Sequence, residues 1–517
     1  VEVAMKIKTF FLLLVILCAG ALVAVRSGLG TVAEDRVRPP AVAGQFYPDS
    51  PEALKLAVEK FLRDGVPRKA KKPIALVVPH AGYIFSGQIA ADGFKQVEGE
   101  SYDVIVILGT NHTAPDFRKI SVYTGRGFRT PMGVVEVDRE IAGALLKADD
   151  DCVADERVHV NEHSIEVELP FIQALFPASR IVPAIVASPD AARCARFGEV
   201  LAALLKNRRA LIVASSDLSH YPSAAVAEDL DREVLGAVAA LDGESLRSTI
   251  ETNMKRGVPN LITCACGEAP ILAAIEAAKR LGAKGGRVVS YAHTGQTAFG
   301  EPSRVVGYGA VVMTGERGVT VSKKKSKEPP YSDTFSGPDR RRLLAFARES
   351  ITRAVSTRTV PLARGLGDNL EQKRAVFVTL KKHGELRGCI GKTDPDTPLG
   401  QAVGTMAIQA AFFDPRFQPV GLREVPEIEI EISVLTRLRP VSRAADIVAG
   451  RDGVQLIKGG RSALFLPQVA VEQHWGLEAM LENLCLKAGL EGTCWRDGAR
   501  FSTFRAITFG ESAGENR

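Results

Sequence analysis

The sequence predicts an α/β protein of two folded domains: a mostly parallel sheet flanked by helices, then a smaller α+β domain with an antiparallel sheet. Three observations carry this. Between residues 39 and 315, near-continuous apolar runs alternate with helical stretches, as a sheet covered on both faces requires. Beyond a polar, lysine-rich stretch the hydrophobic period drops to two. At 517 residues the chain is also longer than a single growing core accommodates.

The elements follow in order. Lys6 and Lys8 precede an uncharged apolar run over 10–25 that ends at Arg26, so residues 1–30 read as a signal peptide or membrane anchor. A membrane-anchored or exported protein is then expected, with its domains outside the cytoplasmic membrane. After a polar tether, strands are expected at IALVV (74–78), VIVIL (104–108), IVPAIV (181–186), LIVAS (211–215), VVSYA (288–292) and Val305–Met313. Residues 225–246 and 270–281 have helical spacing. Residues 316–332 are polar, short of large apolar side chains, and read as a linker. The second domain, 333–513, opens with an amphipathic helix over 339–355. AVFVTL (375–380) and LRGCIG (386–391) then flank a turn with His383 and Gly384, and IEIEISVL (428–435) alternates as a half-buried strand does. VQLI and SALFLP around Gly459 and Gly460 give another hairpin, and one antiparallel sheet is expected.

The net charge of +6 is small for this length and partly confined to Lys323, Lys324, Lys325 and Lys327, so no nucleic-acid partner is predicted. Eight cysteines are too sparse to suggest a disulfide framework, and Cys264-Ala-Cys266 lacks one residue of the redox C-x-x-C spacing.

Chemistry concentrates in the first domain, which holds six of the eight histidines. Strand 74–78 runs into PHAGY with His80, strand 104–108 into GTNH with His112, and strand 211–215 into SDLSH with Asp217 and His220. In an open α/β sheet the carboxyl ends of the strands open onto one crevice, so these residues converge. Cys266, in TCACGEAPI, lies at a glycine- and proline-marked turn into a helix that brings its thiol to the same rim. Taken singly, each is as readily a loop histidine or a small buried cysteine; together they point to a metal site. Three imidazoles and a thiolate suit iron, copper or zinc and not magnesium or calcium. In VHVNEHSIE (158–166), His159 and His163 are spaced to share a helical face, but the zincin glutamate is missing. His163 is read there as an acid or base, and Glu162 and Glu166 as residues that orient a metal-bound ligand. Asp217 is a candidate general base or partner of a histidine Nδ1–H. In the second domain, Cys389 between Gly388 and Ile390 reads as a buried structural thiol before a nucleophile.

These motifs carry a resemblance. AGQFYP (43–48), PHAGY, GTNH, NEHSIEVELP (161–170), SSDLSHY (215–221) and CGEAPI (266–271) stand in the order found in the MEMO family, so residues 39–315 resemble that family. The resemblance implies the LigB-like fold of class III extradiol dioxygenases, metal binding at His80, His112, His220 and Cys266, and pocket roles for His163 and Asp217. His112 is followed by Thr113 where family members often have a second histidine. LRGCIG, AFFDPRF (411–417) and IEIEISVL resemble the AMMECR1 family. The fusion is similar to AmmeMemoRadiSam system proteins, which implies a radical SAM protein as a partner.

The expectation is therefore a metal-dependent oxidoreductase-like protein, with iron or copper favoured and zinc open, acting on an unidentified small molecule or modification target. A non-catalytic metal-binding scaffold and a zinc-dependent hydrolase remain open beside it.

Overall fold

The strong apolar runs become strands because their side chains find cover on both faces: Leu76, Val77, Val106, Ile107, Leu108, Ile212 and Val213 are all buried. The computed structural model describes residues 36–297, 299–316 and 332–511. Its first domain is built on β1 (Pro73–Val78), β2 (Val104–Gly109), β3 (Ile120–Val122), β4 (Cys152–Val153), β5 (Arg180–Val186), β6 (Ala210–Ser215), β7 (Gly285–His293) and β8 (Gly307–Thr314). Their order across the sheet is β7-β8-β1-β6-β2-β5-β3-β4. The four central strands, β1-β6-β2-β5, pair in parallel. Antiparallel pairing enters at the edges, where β8 joins β1 and β7, and β3 joins β5.

Helices cover both faces: α1 (Pro51–Arg63), α2 (Tyr83–Lys95), α3 (Ala191–Leu205), α4 (Ala224–Ala239), α5 (Gly243–Lys255) and α6 (Glu268–Arg280). The single helical stretch expected over 225–246 is two helices. Leu241 takes a left-handed φ of 57°, and Asp242 then caps α5 by accepting the Ser245 N–H.

In the second domain, α7 (Gly337–Thr357) and α8 (Leu399–Phe412) pack together. Strands β9 (Val376–Lys382), β10 (Glu385–Lys392), β11 (Ile428–Leu435), β12 (Arg439–Val441), β13 (Gly453–Lys458), β14 (Arg461–Phe465), β15 (Arg500–Phe504) and β16 (Ala506–Gly510) follow. They form two antiparallel sheets, β10-β9-β11-β16 and β12-β15-β13-β14, rather than the one expected. Strands consecutive in the chain part company where Thr436 and Arg505 bond to each other through main-chain and side-chain atoms, between the two sheets. Both expected hairpin turns hold. His383 and Gly384 have φ of 53° and 84°, and Gly459 and Gly460 have 57° and 76°, as two-residue turns of the mirror-image type require. Cys485 and Cys494 are disulfide-bonded, against the expectation from cysteine spacing.

From Val37 onward the chain forms one compact unit. Among the described residues no helix is long and apolar enough to cross a membrane. The expectation of a signal peptide or membrane anchor, and with it of a membrane-anchored or exported protein, is corrected accordingly. The run at 10–25 on which it rested lies outside the described residues, as does nearly all of the linker expected at 316–332.

Candidate metal centre

Strands β1, β6 and β2 are neighbours in parallel, so the loops that leave their carboxyl ends lie side by side. His80 leaves β1, His112 leaves β2, and Asp217 and His220 leave β6. His163 arrives on a turn that presses on the end of β2. That approach depends on Gly109, where a Cβ would lie 2.6 Å from Ser164 Oγ and 2.7 Å from Ile165 Cγ1. Cys266 precedes α6, and Gly267 lets its loop close on β6: a Cβ there would lie 2.7 Å from the Ser215 carbonyl oxygen. Thr110 Oγ1 donates to the Cys266 carbonyl at 2.8 Å, tying the thiol's loop to the end of β2.

His80, His112 and His163 each offer a ligand atom within 4.8 Å of the others, a triad suited to holding a metal ion. Their rings are oriented by neighbours. Ser215 Oγ donates to Glu168 at 2.9 Å and so accepts from His80 Nδ1 at 2.8 Å. His80 Nε2 keeps its lone pair and faces Cys266 Sγ at 3.2 Å. His112 Nδ1 bonds Glu162 Oε1 at 3.0 Å, and His163 Nδ1 lies 3.5 Å from the same oxygen. Glu162 also accepts the main-chain N–H of His112 at 2.7 Å and those of His163 and Ser164, each at 2.9 Å. An acceptor on the distal ring nitrogen is what fixes the tautomer of a metal-ligating histidine.

The electrostatics agree. Burial, then the neighbouring histidine charges, holds His80 neutral well below the usual imidazole range. Burial likewise lowers His163 to about 4. His112 is raised instead: burial opposes its charge, but the Glu162 carboxylate outweighs that. Burial works against the Glu162 charge too, yet the His112 hydrogen bond and the two imidazoles hold it down at about 2. Burial and then Asp217 push the Cys266 thiol up, so a thiolate here needs a cation beside it. The His80 and His163 imidazoles held neutral, next to a sulfur, match the donor preference of iron, copper or zinc. With ligand bonds of about 2.0–2.3 Å, the 3.2 Å between Nε2 and Sγ is the spacing of two donors roughly at right angles on one ion.

Other sequence-predicted residues take different places. His220 lies outside the triad; its Nδ1 faces the Leu218 carbonyl at 3.1 Å, and burial lowers it to about 4. Asp217, raised by burial to about 7, accepts the main-chain N–H of His80 at 2.9 Å rather than a ring N–H. His159 does not share a helical face with His163, because the helix there spans only Arg157–Val160; its Nε2 meets Ser121 Oγ at 3.1 Å. The hydrogen bonds of Glu166 go to the start of the domain rather than to the triad rings. They gather Arg38, Tyr47 and the N–H groups of Ala41 and Val42, and this knot anchors the turn whose Phe46 ring stands edge-on to His163, with centroids 4.9 Å apart. That contact went unread because a residue in AGQFYP carries no periodic signal. In the second domain, Thr379 donates to Cys389 Sγ at 3.3 Å, while His383 sits at a hairpin turn beside Glu427.

Comparison with known proteins identifies the families of the two domains. The Memo-like protein family matches residues 38–312 and the AMMECR1 family residues 344–509. A MEMO1 family protein of Aquifex aeolicus is 41% identical over 274 residues, covering 53% of this chain and 97% of the relative. MEMO1 family protein MK0963 of Methanopyrus kandleri is 38% identical over 292 residues, covering 53% and 98%. Among solved structures, uncharacterized protein PH0010 from Pyrococcus horikoshii is 37% identical with a TM-score of 0.32, covering 33% of this chain and 90% of that one. The comparisons give no support to the expected radical SAM partner, and that expectation is withdrawn. The chain belongs to the Memo family, with an AMMECR1 domain fused behind the Memo domain in an AmmeMemoRadiSam-like order.

Proposed function

We propose that the chain is a metal-dependent redox protein of the Memo type, in which His80, His112 and His163 hold iron or copper and Cys266 supplies a thiolate. The observation that carries this reading is the sulfur 3.2 Å from His80 Nε2, beside three imidazoles whose far nitrogens face acceptors. When bound, iron or copper supplies a redox couple and a coordination position for a small oxidisable molecule. The thiolate and imidazole donors suit zinc as well as iron or copper, so the metal found in the purified protein separates a redox role from a hydrolytic one.

The protein's own residues prepare the site. Ser215 and Glu162 fix the rings, and Asp217 positions His80 through its main-chain N–H. His163 stands on the partly exposed side, against Phe46, where an incoming molecule meets it. Extradiol ring cleavage is disfavoured, because it uses two histidines and a carboxylate as ligands. Glu162, the carboxylate nearest the triad, already has both oxygens engaged by main-chain and ring donors.

The test is anaerobic purification, elemental analysis and oxygen uptake, with His80→Ala as the control. Bound iron or copper and metal-dependent oxygen uptake lost in the variant support the reading. Full activity restored by zinc alone overturns it.

A further inference from the structure

A short segment of the second domain, residues 358–364, runs against the metal loops. After α7, Arg358 takes a left-handed φ of 51° and turns the chain back onto the Memo domain. Arg358 Nη1 then donates to the Gly44 carbonyl at 3.2 Å, in the turn that carries Phe46. Val360 packs in a cluster with Ile84, in the first turn of α2. Leu362 joins a cluster that holds Ala81, next to His80, and Val306, whose main chain bridges to His220. Arg364 closes the run with a 2.7 Å bond to Asp92, a fully buried carboxylate near the far end of α2. Upstream, Arg353 on α7 pairs with Asp64 at the end of α1. The segment thus follows α2 along its length, from the metal loop to the opposite end.

The two loops it touches are already joined to each other. The Tyr83 N–H donates to the Phe46 carbonyl at 2.7 Å. Phe46 stands on His163, and Tyr83 lies three residues after His80, so movement at this bond moves both ligand loops.

We infer that residues 358–364 of the AMMECR1 domain brace the His80 and His163 loops, so that the second domain acts in cis as a positioning element for the metal site. The metal readout of this inference rests on the proposed function; its structural readout does not. Buried apolar contact gives the brace its strength, and the flanking arginines fix its register.

The experiment uses the full-length chain with Arg358→Ala and Leu362→Ser combined. Arg387→Ala, which breaks the Arg387–Glu424 pair elsewhere in the second domain, is the control. Hydrogen exchange is followed at Tyr83 and residues 80–85 without metal, and cobalt(II) is titrated separately by its absorption bands. The brace predicts exchange at Tyr83 about tenfold or more faster, from a raised local opening, and cobalt binding about tenfold weaker, with the control unchanged. Arg358→Lys with Leu362→Met restores both. If the combined variant does not fold, Arg358→Ala alone, at an exposed contact, gives the same readouts at smaller size. Unchanged exchange overturns the brace even where cobalt binding weakens. Accelerated exchange in the variant, where not even the wild-type chain binds cobalt, removes the metal reading and leaves the brace standing.

Discussion

Replacing Glu162 by glutamine tests the support of the metal site with almost no change in shape. The carboxylate is buried and surrounded only by donors: His112 Nδ1, His163 N and Ser164 N on Oε1, and His112 N on Oε2. A glutamine with its oxygen at the Oε1 position keeps three of these and turns an –NH₂ toward the fourth; flipped, it keeps only one. The first pose loses one charge-assisted bond, weakens three others to neutral ones and creates a donor–donor contact, a cost of roughly 2–4 kcal/mol in metal-free stability. The His112 ring loses its anionic acceptor, and metal affinity falls about 10–100-fold. Chemical denaturation without metal and cobalt(II) titration measure the two effects. Glu166→Gln is the control: it disturbs the knot with Arg38 and Tyr47, so it lowers stability more than it lowers affinity. Equal cobalt affinity in Glu162→Gln and wild type would refute the reasoning.

Other perturbations have definite expected outcomes. Ser215→Ala removes the acceptor of His80 Nδ1, so cobalt affinity falls by about tenfold, whereas Ser215→Thr, which keeps the hydroxyl, binds as wild type does. Gly267→Ala places a Cβ 2.7 Å from the Ser215 carbonyl, so it costs about 1–3 kcal/mol in a thermal melt and shifts Cys266 away from His80. His159 is lowered to about 3 by burial and by Arg38. Between that value and the ordinary imidazole pKa of about 6.5 the unfolded chain binds a proton that the native chain refuses. Stability therefore falls as pH drops through this window, by up to about 1.4 kcal/mol per pH unit, and denaturation of His159→Gln shows a shallower dependence than wild type.

Much of the fold was legible because the central strands are apolar on both faces; the runs at 74–78, 104–108, 181–186 and 211–215 meet the observed strands within a residue or two. Strands β3 and β4 escaped because three and two residues carry no period. The break at Leu241 escaped because a left-handed leucine looks like any helical leucine in sequence. A passage between sheets, as at Thr436 and Arg505, leaves period two unchanged on either side. At the site, His80 and His112 were legible from their places after parallel strands. The entry of His163 into the triad was not, because it depends on the missing Cβ of Gly109, a contact between segments distant in sequence. Glu162 and Glu166 look alike in VHVNEHSIE, yet one holds ligand rings and the other holds the start of the domain. Only tertiary packing separates them.

The most direct test of the metal site is the metal content of the purified full-length chain, compared with that of the His80→Ala, His112→Ala, His163→Ala triple variant and of His220→Ala alone. One equivalent in wild type, retained in His220→Ala and lost in the folded triple variant, is the predicted result. Undiminished metal in the triple variant would contradict it.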